Sequence, residues 1–170
     1  MPLIRFPVAV IMQRIPLVNR WSDERWEAVA VEVAEESAAA PECVDDGAAG
    51  TFWRCPGYFV ELHPAETEGY YLNASATEPK LFVLWRMAEE DDAAVPRARP
   101  LIVTLSYGEA ARFLDVGEQV DAVPIPGALL SALQSFVAAH WRPEPRKKVK
   151  RNELYEEQAR SRETAGRRQR

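Results

Sequence analysis

The stretch Leu101–Trp141 reads LIVTLSYGEAARFLDVGEQVDAVPIPGALLSALQSFVAAHW. Leu101–Leu105 is the last of several short apolar runs, and from Ser106 the apolar spacing changes from the period of a strand to that of a helix. Ser106 followed by Glu109 is a capping box, in which the hydroxyl accepts the Glu109 amide and the carboxylate reaches back to the cap amide. It predicts a helix over about Tyr107–Asp115, with Ala110, Phe113 and Leu114 inward and Gly117 near the stop. A second helix starts near Pro126, because a first-turn amide has no partner to lose. Leu129, Leu133, Phe136, Val137 and His140 form its apolar stripe. Ala122–Trp141 has no charged residue over 20 positions, long enough to span a bilayer. Pro124, Pro126, Gly127, Ser131, Gln134, Ser135 and His140 lower its hydropathy, and the periodicity belongs to a half-buried helix, so no membrane span is expected.

Upstream of this switch the chain reads as strands. Val8, Val10 and Met12 alternate with Ala9, Ile11 and Gln13 up to Pro16, and Trp26–Val33 alternates again. The apolar run Phe6–Met12 has seven residues and no small-residue cleavage site after it, so it reads as a strand and not as a leader. Glu35–Thr51 is rich in Ala, Gly and acids and reads as a long loop. Tyr58–His63 alternates, and after a turn at Pro64–Gly69 the segment Tyr70–Asn73 reads as its hairpin partner. Leu81–Met87 is apolar on both faces except at Arg86, as a central strand would be, and Glu89–Pro100 is a loop. The expected fold is α+β: a mostly antiparallel sheet of five or six strands, then two C-terminal helices, in one domain over residues 1–141.

Composition divides the chain in two. The formal charge is -5, yet residues 142–170 carry 11 Lys or Arg against 5 Glu. That is +6 beside a body of -11, with RKKVKR (Arg146, Lys147, Lys148, Lys150 and Arg151 around Val149) as the densest cluster. Asn152–Arg170 has only Leu154 and Tyr155 as large apolar residues, so residues 142–170 read as a basic flexible tail. An acidic body excludes phosphate recognition on the globular face and leaves nucleic acid or another anionic surface to the tail alone. Two cysteines, Cys43 and Cys55, make neither a disulfide framework nor a CxxC half-site, and a reducing, cytoplasmic setting follows as the expectation.

Chemistry-bearing residues are sparse. His63 in ELHPAETE has Glu61, Glu66 and Glu68 nearby, so it reads either as a solvated hairpin turn or as the centre of a small hydrolase or metal-binding enzyme. His140 reads as a helix-end histidine facing the last carbonyls. Cys55, between Arg54 and Pro56, is either a buried thiol or one activated by the arginine. No GxSxG, HExxH, GxGxxG or GxxxxGK[ST] pattern occurs, so no catalytic residue, metal or cofactor is assigned. Aromatic and arginine residues cluster instead: Asn19, Arg20, Trp21, Arg25 and Trp26 after the first strand, extended by Trp85, Arg86 and Tyr70–Tyr71. Trp and Arg anchor protein interfaces, which makes these a candidate partner-binding set; the alternative is that the indoles cap the sheet end under the arginine stems.

Taken in order, NRW with ERW (Asn19–Trp21, Glu24–Trp26), EGYYLN (Glu68–Asn73), LFVLWRM and GEQVD (Gly117–Asp121) resemble a bacterial family of domains of unknown function. Members of that family are typically encoded among accessory genes for molybdenum-dependent formate dehydrogenases. The resemblance spans roughly residues 6–151 and departs from the family around Glu35–Gly50 and beyond Arg151. It implies a non-catalytic accessory or maturation factor, whose partner is a formate dehydrogenase subunit or another of its accessory proteins. It carries no catalytic residue across.

Truncation after Trp141 or Arg142 removes almost no large apolar side chain. The shortened chain is expected to keep a single cooperative unfolding transition by circular dichroism; loss of that transition would show that the tail belongs to the core.

Overall fold

β1 (Ile4–Pro16) and β2 (Glu24–Val33) form an antiparallel hairpin, and β1 pairs on its other side with β4 (Gly50–Leu62). The computed structural model describes residues 4–145. β3 (Glu42–Gly47) pairs with the first residues of β4, giving a four-stranded sheet in the order β2-β1-β4-β3. The remaining strands, β5 (Lys80–Met87), β6 (Ala98–Thr104) and β7 (Gln119–Pro124), form a second antiparallel sheet in the order β6-β5-β7. The helices are α1 (Thr67–Ala74), entered through a 3-10 turn at Pro64–Glu66, then α2 (Tyr107–Asp115) and α3 (Gly127–His140).

The α+β class and the antiparallel pairing stand, while among the described residues the single sheet of five or six strands becomes two sheets with seven strands. β3 lies in the segment expected to be a loop. Its sequence ECVDDG is exposed throughout, as suits a charged strand guarding a sheet edge, and so it has no apolar alternation to read. Tyr70–Asn73 is helical instead of extended. Pro64 starts the 3-10 turn, and Gly69, Tyr70 and Asn73 then turn inward at helical spacing. β7 separates the last two helices, so they are not consecutive. Leu114 is 56% exposed and not part of the inward face of α2, which buries Ala110.

One core joins the layers: Val8, Val10 and Met12 of β1, Val60 and Leu62 of β4, Leu81 and Val83 of β5, Val123 of β7, and Leu129, Leu133 and Phe136 of α3. Each such side chain stabilises the fold by about 1.5–3 kcal/mol on burial. The sheets run beside each other at two seams, β2 against β7 and β4 against β6. Among the described residues side chains provide the bonds across them. Asp121 Oδ2 of β7 accepts the Ala28 amide of β2 at 2.8 Å and the Trp85 indole N–H at 2.7 Å. At the other seam, the Tyr58 hydroxyl donates to the Pro100 carbonyl at 2.8 Å. A bulge in β4 sets this second seam: Val8 faces Tyr58 and Val10 faces Cys55, so Ala9 alone spans Pro56 and Gly57. Pro56 has no amide to donate, and Gly57 takes φ +90°, which a side chain would resist.

The helical end is pinned by α1. Gly69 sits so close to the start of α2 that a Cβ there would lie 2.1 Å from the Ser106 hydroxyl oxygen. Buried Asn73 donates to the Lys80 and Leu105 carbonyls at 2.7 and 2.8 Å and accepts the Lys80 amide at 2.9 Å. One side chain thus ties α1 to the start of β5 and the end of β6. Asn73→Ala is expected to lower the unfolding free energy by about 3 kcal/mol, because it strands buried polar groups. Asn73→Asp keeps the acceptor for Lys80 but sets a carboxylate against two carbonyls, and should do no better. Denaturant titration measures both; full stability in the Asp variant would place the whole contribution in the Lys80 bond.

Candidate functional site

An open cleft of about 620 Å³ runs along the β4–β6 seam. Outward-facing Gly57, Phe59 and Glu61 of β4, with His63 just after it, form one wall, Leu101–Thr104 of β6 the other, and Ala65, Glu66 and Glu109 close the end. His63 Nε2 lies 3.2 Å from Glu61 Oε2, and Arg5 pairs with Glu61 at 3.4 Å while its guanidinium covers the Phe59 ring. Glu66 accepts the Ser106 hydroxyl at 2.6 Å and Arg112 at 2.7 Å. Glu109 accepts the Thr104 hydroxyl at 2.8 Å. Beneath them, the Tyr70 hydroxyl accepts the His63 amide and donates to the Glu61 carbonyl. Burial, reinforced by the charges of Glu109, Glu66 and Glu61, pushes its phenol up to about 12.

Two of the three acids expected around His63 therefore converge with it. Glu68 instead points to solvent from the first turn of α1, and Glu109 and Thr104 take its place. The Ser106–Glu109 capping box is also rearranged. Ser106 Oγ accepts the Glu109 amide at 3.1 Å as expected, but the Ser106 amide goes to Thr104 Oγ1, which leaves the Glu109 carboxylate facing the cleft. Among the described residues no group of three or more His, Cys, Asp or Glu is arranged to hold a metal ion.

The aromatic and arginine set is divided by the fold. Asn19, Arg20 and Trp21 lie together on the tip of the β1–β2 hairpin, where Trp21 is 91% exposed and Val18 beside it is fully exposed. The tip is held in shape: Asn19 Oδ1 accepts the Trp21 and Ser22 amides at 2.9 and 2.8 Å, and the Leu17 amide donates to the Asp23 carbonyl. Arg25 is exposed at the start of β2 and pairs with Glu27 at 3.6 Å. Trp26 is buried, and its indole donates to Glu24. Burial alone would raise the Glu24 carboxyl, but the hydrogen bonds from Trp26 and Arg14 and the charges of Arg14 and Arg97 outweigh it and hold the group below its ordinary range. Trp85 is buried against Asp121, and Arg86 forms a two-pronged ion pair with Glu118.

Cys55 is buried, and its thiol is pushed up to about 12, so Arg54 does not activate it; Cys43 is exposed. Arg142 donates to the Ala138 carbonyl in the last turn of α3 and to the Trp141 carbonyl just after it, while the His140 ring leans on Phe136. The tail cluster Arg146, Lys147, Lys148, Lys150 and Arg151 lies outside the described residues. No helix among the described residues is long and apolar enough to cross a membrane.

Neither the curated proteins nor the solved structures contain a significant match to this chain. Residues 7–150, nearly the whole described body, match the model of the family described as "Protein of unknown function (DUF3305)", and the chain belongs to that family.

Proposed function

We propose that the chain is a non-catalytic accessory or maturation factor for a molybdenum-dependent formate dehydrogenase, and that it acts by binding another protein through the tip of the β1–β2 hairpin. The observation that carries the binding reading is Trp21: a large indole is held out in solvent on a loop that its own hydrogen bonds keep in shape. An exposed tryptophan presented at little further ordering entropy is the kind of residue that becomes the anchor of an interface. Val18 and Arg20 extend the same surface. The choice of partner, a dehydrogenase subunit or a fellow accessory protein, rests on the family resemblance alone, since a fold does not name a function.

A second reading is favoured by a specific feature, the convergence of His63, Glu61, Glu66 and Glu109 on one cleft. It makes the chain a small hydrolase or metal-binding enzyme centred on His63. Calorimetric titration with Zn²⁺ separates the two: stoichiometric binding that His63→Ala abolishes would support the enzyme reading. The binding-factor reading expects no such site.

Trp21→Ala is expected to weaken capture of the partner by about 2 kcal/mol or more, roughly 30-fold, while the unfolding midpoint stays put because the indole supports no core. Deleting the gene should lower formate dehydrogenase activity without rescue by any small molecule. Normal activity in the deletion strain under formate-dependent growth would remove the proposal.

A further inference from the structure

The β4–β6 cleft has an apolar wall that strand geometry alone would not produce. Leu101 and Ile102 are consecutive in β6, yet they are 44% and 38% exposed and both line the cleft. In a regular strand one of them would face the core. The register explains the exception: Leu84 pairs with Ile102 and Trp85 with Pro100, so Leu101 is the extra residue of a bulge. Phe59 faces them from β4, and Glu61, Glu66 and Glu109 stand at the closed end. Arg5 and Arg112 answer Glu61 and Glu66, whereas among the described residues Glu109 has a hydroxyl partner and no cation. An apolar shelf that ends in an excess of carboxylate fits long side chains with aliphatic stems and cationic heads.

The course of the chain brings such side chains to the cleft. α3 ends at His140, and the ring of the next residue, Trp141, stacks on Tyr71 of α1 at 3.7 Å and 8°. α1 follows directly on the Pro64–Glu66 turn that closes the cleft. Tyr71 and Glu66 are five residues apart, about 8 Å along a helix. Arg146 comes five residues after Trp141, a span of up to about 17 Å. RKKVKR then presents five cations around one valine with no acid among them.

We propose that the β4–β6 cleft is the docking site of the chain's own basic segment Arg146–Arg151. The aliphatic stems and Val149 lie on Leu101 and Ile102, and the cationic heads face Glu109 and its neighbours. The short tether supplies an effective concentration in the millimolar range, so a weak contact is enough to hold the segment. The proposal is independent of the hairpin tip and of the formate dehydrogenase reading.

The test uses the full chain with Cys43→Ser and a nitroxide spin label on Asn152→Cys, read by the methyl signals of the labelled protein. Leu101 and Ile102 methyls are expected to broaden at about 50 mM salt and to recover at about 0.5 M, where the screening length is only a few ångström. Ile102→Lys should restore the Leu101 signal at low salt without moving the thermal midpoint. Three results would overturn the proposal. The first is no broadening in the cleft. The second is broadening as strong at Val95 beside the acidic loop Glu89–Asp92, the mark of diffuse electrostatic collapse. The third is an effect that grows with protein concentration, which would assign the segment to a second copy.

Discussion

The structure depends on how two sheets are joined where their edges do not ladder. A strand edge carries amides and carbonyls that must be paired or hydrated, and neither seam supplies a run of partners. Asp121 answers at the β2–β7 seam with one carboxylate oxygen shared between the Ala28 amide and the Trp85 indole. A carboxylate acceptor makes stronger bonds than a neutral one, and its two donors come from different sheets. Tyr58 does the same at the β4–β6 seam with a single neutral bond to Pro100. The seams are therefore unequal. The more weakly bridged one opens into the cleft, with the Gly57 and Leu101 bulges on its two sides.

The helices complete what the seams leave open. Asn73 fixes α1 to β5 and β6, and Gly69 lets Ser106 approach closely enough to bond Glu66 across the two helices. Glu66 is held there by Ser106 and Arg112, and Glu109 by its place in the first turn of α2. The polar end of the cleft is thus a by-product of packing α1 on α2. Two of the pieces that carried the family resemblance fall on contacts of this kind: Gly69, Tyr70 and Asn73 in EGYYLN, and Glu118 and Asp121 in GEQVD.

What could be read in advance follows from how much side chain each element buries. β1, β2 and β5 announce themselves because alternate apolar residues meet a core on one or both faces. β3 buries nothing, and α1 buries Gly69, Tyr70 and Asn73, of which only Tyr70 registers as apolar, so a period had little to act on. His63 with Glu61 and Glu66 was legible because those residues are near neighbours in sequence. Thr104 and Glu109 arrive from about forty residues further on and required the seam. The tryptophans were legible as a set but not by side. Trp21 and Trp26 are five residues apart, and only the ladder that ends at Pro16 and Glu24 puts one on the tip and the other in the core.

The two surfaces left after this accounting lie at opposite ends of one strand. β1 pairs Ile4 with Leu62 and Arg14 with Thr51, so the cleft end of β4 sits beside the start of β1, and the hairpin tip follows its end. The cleft begins at Gly57 and Tyr58, opposite Val8, so the stretch of β1 from Val8 to Pro16, about 26 Å at the usual rise, separates it from the tip. Side chains that far apart with no shared partner act additively. A protein held at Trp21 and a basic segment held at Leu101 and Ile102 do not compete for space. Any coupling between them would have to pass along β1, whose centre, Val8–Val10, is fully buried in the core.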